Sequence, residues 1–273
     1  MTDADATNEP IKISPEAVAI RRVLSRFVRD IDSLQFAYRT VGEAIFKASV
    51  ARKDAATSFL AELGIDPKNF AGSSIPFERL GEWIRLIQAS SIADSSAPAT
   101  RAGLFLVLVS KWDAYVGNLL RWLFSVQPSI IDNSERSLSL SDLVKMGNIE
   151  NARSHIVALE IEAILRTSHV DQFRYFEDRL KIPLRKDLLA WPKFVELTQR
   201  RNLLAHTDGV VSEQYIKICT EHKCDVAPET AVGTKLDIKR AYFRNSCHTI
   251  LEVGVMLGYV LWNKLRPNDI EIS

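Results

Sequence analysis

Two residues in the segment RRNLLAH, Arg201 and His206, are of types that handle phosphodiester chemistry. An imidazole titrates near neutral pH, so His206 could take a proton from a ribose 2′-hydroxyl or give one to a leaving 5′-oxygen. The Arg201 guanidinium could hold a phosphate and stabilise charge in the transition state, and Asn202 could orient the histidine or a phosphate oxygen. This set predicts metal-independent cleavage of RNA to a 2′,3′-cyclic phosphate, with DNA spared because it lacks the 2′-hydroxyl.

The two adjacent arginines of this segment are expected to differ in role. On a helical wheel of the predicted helix Leu188–His206, Arg201 falls within the apolar stripe, where an unpaired charge is unusual. Arg200 lies to the side, four residues after Glu196, which is the spacing of an ion pair on a helix surface. We therefore predict a structural role for Arg200 and a functional one for Arg201. The alternative for Arg201 is a buried salt bridge to Asp113 or Glu196.

A second face of the same helix carries Gln199, Asn202 and His206, which are spaced by three and four residues. Arg201 and His206 are about 140° apart on a straight helix, so one helix does not bring their tips together easily. They would meet if Arg201 reached round the helix end, or if two copies packed across a two-fold axis. The simpler interpretation of His206 is a C-terminal histidine that interacts with the helix dipole.

The N-terminal part of the chain predicts one long helix. Ser14-Pro15-Glu16 has the features of a helix start, and residues 1–13 are expected to be disordered. Apolar residues then follow a heptad pattern, which requires a partner helix; we favour a partner within the domain over an intermolecular coiled coil. The members of the stripe are Ile20, Leu24, Phe27, Ile31, Leu34, Tyr38, Val41, Ile45 and Ala48.

Breakers and apolar faces define the remaining organisation. Gly64 to Pro67 ends the long helix, a short helix follows at Phe77–Ala89, and the small polar segment SSIADSSAPAT at residues 90–100 predicts a linker. Further helices are expected at about 101–124, 151–168, 188–206 and 237–264, with an irregular segment at 210–234. The prediction is an all-α fold: a disordered 1–13, an N-terminal helical region at 14–95 and a helical domain at 100–273.

Composition favours a cytoplasmic protein. The net charge of +1 provides no global attraction for nucleic acid, so RNA binding would need a local patch. Three cysteines are too few for a disulfide framework, and the N-terminus lacks an apolar signal core. The apolar runs Leu104–Val109 and Ile250–Trp262 indicate buried helices, so no association with a membrane is expected.

Two further groups of residues invite functional interpretation. The segment RLKIPLRKD carries Arg179, Lys181, Arg185 and Lys186 just before the predicted motif helix, and it is the best local candidate for contacting an RNA backbone, although a solvated loop is the simpler interpretation. A zinc site is conceivable, but the spacing is unusual, so we expect no metal and no cofactor. Its ligands would be Cys219, His222, Cys224, Cys247 and His248.

The segment Arg201–His206 matches the R-x(4–6)-H motif of HEPN domains, and HTDGVVSEQY resembles the H-x-x-G-x-V-x-x-x-Y continuation of RiboL-PSP-type HEPN proteins. SKWDAYVGNLL resembles the first core helix of those domains, with Asp113 at a position that is often acidic. The resemblance covers about residues 100–273 and leaves the first hundred unexplained. It implies a metal-independent ribonuclease that forms its site as a homodimer, in a toxin–antitoxin or anti-phage defence setting with a possible partner protein. It also leaves open a non-catalytic module for helical dimerisation, because some HEPN domains are inactive.

Overall fold

A computed structural model describes residues 14–68, 73–132, 137–186, 188–227 and 230–267; the predicted disorder of 1–13 lies outside these ranges. Within them the fold is all-α, as predicted, and the extended backbone amounts to one isolated pairing of Val210 with Lys235. The helices are α1 (Pro15–Glu62), α2 (Phe77–Val126), α3 (Ser129–Asp132), α4 (Leu140–Met146), α5 (Ile149–Leu165), α6 (His169–Leu180), α7 (Trp191–Thr207), α8 (Glu213–Glu221) and α9 (Arg240–Leu265).

The long helix α1 begins and ends where the sequence predicts. The Ser14 hydroxyl accepts a hydrogen bond from Ala17 N at 3.1 Å, and Gly64, with a φ of 67°, follows the last turn. The first half of the heptad stripe is buried against α2 and α9 of the same chain; Phe27, for example, stacks on Tyr115 with the ring centres 4.0 Å apart. A partner within the chain is therefore confirmed for this half.

The predicted linker at residues 90–100 is wrong, because α2 runs through this segment without interruption. Pro98 lies inside the helix on an exposed position, where its ring removes one backbone hydrogen bond. The hydroxyls of Ser95 and Ser96 donate to the carbonyl oxygen of Ile92 at 3.1 and 2.6 Å. The helix thus continues despite the small, polar composition that suggested a loop.

The predicted boundary between residues 14–95 and 100–273 does not match the packing. The first half of α1 belongs to the same buried core as α2, α5, α6, α7 and α9. Beyond Tyr38, α1 and α2 continue as a pair, here called the arm, which ends in a small cluster where Phe59 stacks on Trp83. The chain is thus built as one main core with a protruding two-helix arm.

The segment at 210–234, expected to be irregular, contains the nine-residue helix α8. Ser212 caps it by accepting from Tyr215 N at 3.2 Å, and Tyr215 and Cys219 bury its apolar side. Nine residues are too few for an isolated helix, so capping and packing decide this element. Among the described residues, α2 is a helix long and apolar enough to cross a membrane by length and composition.

Candidate functional site

The C-terminal end of α7 is held by a loop that requires glycine. Asp208 and Gly209 both have positive φ, at 52° and 82°, and a Cβ on Gly209 would lie 2.8 Å from the carbonyl oxygen of Leu236. Leu236 N donates to Gly209 O at 2.9 Å, and Val211 N donates to Thr234 O at 2.9 Å. These contacts fix the last turn of α7, which carries His206.

Arg201 and His206 face different surroundings on this turn. Arg201 is half-buried, and its Nη1 donates to Asn202 Oδ1 at 3.2 Å. His206 is exposed on the last turn of α7. No contact joins the two side chains within one chain, in keeping with their five-residue spacing. Neither Asp113 nor Glu196 forms an ion pair with Arg201, so the alternative of a salt bridge to one of them is wrong.

Arg200, in contrast, belongs to a buried cluster around the carboxylate of Glu196. Arg200 Nε and Nη2 both lie 2.8 Å from Glu196 Oε1, so the predicted ion pair is confirmed. It is not a surface pair, because Glu196 is 7% exposed. Tyr215 Oη donates to Oε1 at 2.7 Å and Tyr242 Oη donates to Oε2 at 2.6 Å. The Arg200 guanidinium also lies 4.0 Å above the Tyr242 ring.

Burial and the neighbouring carboxylate keep both phenols of this cluster protonated. Burial is the larger cause and the charge of Glu196 the second, and together they raise the pKa of Tyr215 and of Tyr242 far above the ordinary value. The cluster therefore contains one charged pair and two neutral donors, and both carboxylate oxygens are satisfied. It is built for stability, because it joins α7, α8 and α9.

Two residues that were expected to support the site lie elsewhere. Gln199 is buried, so it does not share an exposed face with His206. Asp113 Oδ1 lies 2.9 Å from His169 Nε2, and the His169 ring packs against Phe194. Phe194 precedes Arg201 by two helical turns, about 10 Å along α7. Asp113 on α2 and His169, the first residue of α6, thus form a contact between two helices. This contact does not involve Arg201.

The basic segment before α7 retains part of its predicted character. Arg185 pairs with Glu177, whose carboxylate also accepts the backbone N–H groups of Leu184 and Arg185 at 2.9 and 2.8 Å. Arg185 is thereby neutralised, and its predicted role in RNA contact is not supported. Arg179, Lys181 and Lys186 are exposed.

The distance between this segment and the motif limits what they can do together. The segment lies before the first residue of α7, whereas Arg201 and His206 lie about 15 and 22 Å further along that helix. One short contact could not cover both places. A bound strand would have to run along α7 to reach them.

The residues considered for zinc do not converge. Cys247 is buried in the main core, while His222 Nδ1 accepts a hydrogen bond from Trp191 Nε1 at 3.4 Å. Cys219 and Cys224 are neighbours, since Cys224 N donates to Cys219 O at 2.8 Å and their thiols interact. In the described part of the chain, no three potential metal ligands lie close enough to hold an ion.

Comparisons with known proteins give no match: no family model, no curated protein and no solved structure is similar to this chain. The site must therefore be judged from its own geometry. Sequence reasoning missed the two phenols on Glu196 and the Asp113–His169 contact. The tyrosine of HTDGVVSEQY, Tyr215, was the available signal for the first of these.

Proposed function

We propose that this protein is a metal-independent endoribonuclease of HEPN type that acts as a homodimer. The observation that carries the proposal is the contrast on α7: Arg200 is bound to Glu196, while Arg201 has only the neutral Asn202 amide as a described partner and lies five residues before the exposed His206. A half-buried guanidinium with no carboxylate partner among the described residues is suited to accept a phosphate.

The proposed chemistry uses three residues. His206 takes the proton of the ribose 2′-hydroxyl or gives one to the leaving 5′-oxygen. Arg201 binds the scissile phosphate and stabilises the charge that develops on it. Asn202, which accepts from Arg201, orients the guanidinium. The products are a 2′,3′-cyclic phosphate and a free 5′-hydroxyl.

The dimer is part of the proposal because one copy leaves Arg201 and His206 apart. A two-fold axis beside the end of α7 would place the Arg201 of one copy near the His206 of the other. The exposed Arg179, Lys181 and Lys186 would then contact the RNA backbone away from the reacting phosphate. A role in defence or in a toxin–antitoxin pair, with a regulating partner protein, would fit such an activity.

The test is incubation of the purified protein with tRNA and mRNA in EDTA, followed by analysis of the 3′ ends. We expect cleavage that persists in EDTA and fragments that end in a cyclic phosphate. His206→Ala should abolish it, whereas His248→Ala, which removes an exposed histidine of α9, should not. Products with 3′-hydroxyl ends, or a His206→Ala variant that cleaves at the normal rate, would refute the mechanism.

A non-catalytic dimerisation module is the second candidate, and the arm favours it. Phe46 on α1 and Phe77 and Ile92 on α2 are 69%, 87% and 60% exposed, which is unusual for large apolar side chains. In that case RNA should stay intact, and Phe46→Glu should halve the mass of the assembly in solution. The mass is measured by light scattering, with Arg29→Glu on the same helix as the control.

A further inference from the structure

A cavity of about 580 Å³ lies between α1 and α2, where the arm leaves the main core. Its apolar wall is formed by Ile45, Phe46 and Val50 of α1 and by Ala97 of α2. The volume is in the range of pockets that take a small organic molecule. Neither Arg201 nor His206 lines it, so it is separate from the site on α7.

The charge around this cavity is strongly positive. Arg39, Lys53, Arg101 and Arg240 line it, and Glu43 is the one acidic residue among the described lining residues. Some arginines elsewhere pair with carboxylates, as Arg79, Arg166, Arg174, Arg185 and Arg200 do. In the described part of the chain, Arg39, Arg101 and Arg240 have no such ion pair. Like charges around one cavity repel one another, and a bound anion would relieve that repulsion.

The fold holds the side chain of one of these arginines and places a second at the start of a helix. Arg101 Nε donates to the carbonyl oxygen of Ile238 at 2.8 Å, which fixes its guanidinium just before α9. Arg240 is the first residue of α9, a 26-residue helix whose N-cap, Lys239, makes no side-chain capping bond. The first turn of such a helix carries partial positive charge, which adds to that of the arginines.

The charges of Arg101 and Arg240 both act on the hydroxyl of Tyr38. Tyr38 lines the cavity, and its ring stacks on Phe243 with the centres 4.2 Å apart. Burial raises the pKa of Tyr38, and the charges of Arg101 and Arg240 oppose that effect, so both guanidiniums are within electrostatic reach of its hydroxyl. Two guanidiniums, a phenol and an apolar wall thus border one space.

We propose that this cavity binds an organic phosphate: a small molecule with a phosphate or pyrophosphate group and an apolar or aromatic body. The phosphate contacts Arg39, Arg101 and Arg240, and the body packs against Phe46 and Val50. Two-point contact between guanidinium and phosphate suits arginines better than lysines at such a site. The size of the cavity favours a small molecule over a stretch of RNA.

The test is isothermal titration calorimetry of the full chain with four probes. ADP carries both chemical parts, pyrophosphate only the charge, adenosine only the aromatic body, and glucose 6-phosphate a phosphate on a polar body. We expect saturable binding of ADP that is tighter than that of any other probe. Absence of ADP binding with a Kd below about 1 mM would overturn the proposal. So would a single-stranded RNA oligonucleotide that competes equally well with ADP.

Variants locate the binding. Arg39→Glu and Arg240→Glu replace exposed side chains, and each should weaken ADP binding at least about tenfold, as expected for the loss of a charged hydrogen bond. Phe46→Ala should weaken ADP binding but leave pyrophosphate binding unchanged. The controls Arg29→Glu on α1 and Arg244→Glu on α9 are exposed and lie outside the cavity lining. Equal losses in the controls would overturn the assignment, because binding would then follow net charge alone.

Discussion

Arg200 and Arg201 are neighbours in the chain, yet the fold gives them opposite surroundings. Arg200 is bound to Glu196 and stacked on Tyr242, in a cluster where every polar group has a partner. Arg201 is half-buried beside Asn202, without a described carboxylate. A rotation of about 100° along one helix is enough to separate them. The residue type alone therefore does not reveal the role of either arginine. The groups that contact each guanidinium do.

The two regions should also differ in what a substitution costs. In the Glu196 cluster, loss of one partner leaves other buried groups unsatisfied, so the cost falls on the free energy of unfolding. At Arg201 and His206, loss of a side chain leaves little unsatisfied, so under the proposed function the cost should fall on RNA cleavage. The predictions below test that division, from the largest expected effect to the smallest.

Glu196→Ala should have the largest effect on stability. It leaves the Arg200 charge unpaired in a buried place and removes the acceptor for Tyr215 and Tyr242, so we expect a loss of about 3–5 kcal/mol in the free energy of unfolding. Urea denaturation followed by circular dichroism measures it. Glu221→Ala, at an exposed position of α8, should stay within about 0.5 kcal/mol. Equal stability of the two variants would mean that the Glu196 cluster does not stabilise the fold.

Gly209→Ala should affect both regions. The added Cβ meets Leu236 O, and φ is positive, so the loop that holds the end of α7 must shift; we expect a cost of about 1–3 kcal/mol together with reduced RNA cleavage. Gly103→Ala is the control, because it lies in α2 with open space around it, and helix propensity predicts no loss there. Urea denaturation and a cleavage assay on both variants measure these effects. A fully stable Gly209→Ala protein would contradict the strained geometry.

High pH should weaken the Glu196 cluster. In the unfolded chain Tyr215 and Tyr242 ionise near pH 10, but in the fold their pKa values are higher, so the unfolded state binds fewer protons above that pH. Stability is therefore complete below about pH 10 and falls as pH rises, by up to about 1.4 kcal/mol per pH unit for each tyrosine. Urea denaturation at pH 9 to 11 measures the slope. The fall of the free energy of unfolding with pH should be smaller in a variant that carries both Tyr215→Phe and Tyr242→Phe. An unchanged slope in that variant would exclude both phenols as the cause of the pH dependence.

Asp113→Asn should have the smallest effect of the four. It weakens the contact with His169 between α2 and α6, and a half-buried pair of this kind is worth about 1 kcal/mol or less. RNA cleavage should stay near the normal rate, because the pair is separate from Arg201. Thermal melting and a cleavage assay decide it. A large loss of cleavage with unchanged stability would mean that Asp113 contributes to cleavage and not only to the contact between α2 and α6.

Local chemistry made part of the fold predictable. Ser14 and Pro15 predict the start of α1, and Gly209 predicts the end of α7, because capping and positive φ are properties of short segments. The heptad stripe predicts a partner helix, but not that α2 would supply it. Residues 90–100 show the limit: their composition favours a loop, yet they form an uninterrupted part of α2.

The candidate site was predictable from the sequence to about the same extent as the fold. Helix periodicity separates Arg200 from Arg201 and links the former to Glu196, since these follow from spacing alone. Periodicity does not reveal that Tyr215 and Tyr242 close the Glu196 cluster, because they come from two other helices. It also failed for Gln199, whose burial depends on what α7 packs against. Contacts between distant segments carry the information that spacing lacks.

The most direct measurement compares Arg200→Ala with Arg201→Ala, in thermal melting and in RNA cleavage in EDTA. We expect Arg200→Ala to be clearly destabilised, while Arg201→Ala melts within a few degrees of the parent and loses cleavage by about a hundredfold or more. An Arg201→Ala protein that cleaves RNA at the normal rate, or that unfolds as readily as Arg200→Ala, would contradict the division of roles between the two arginines.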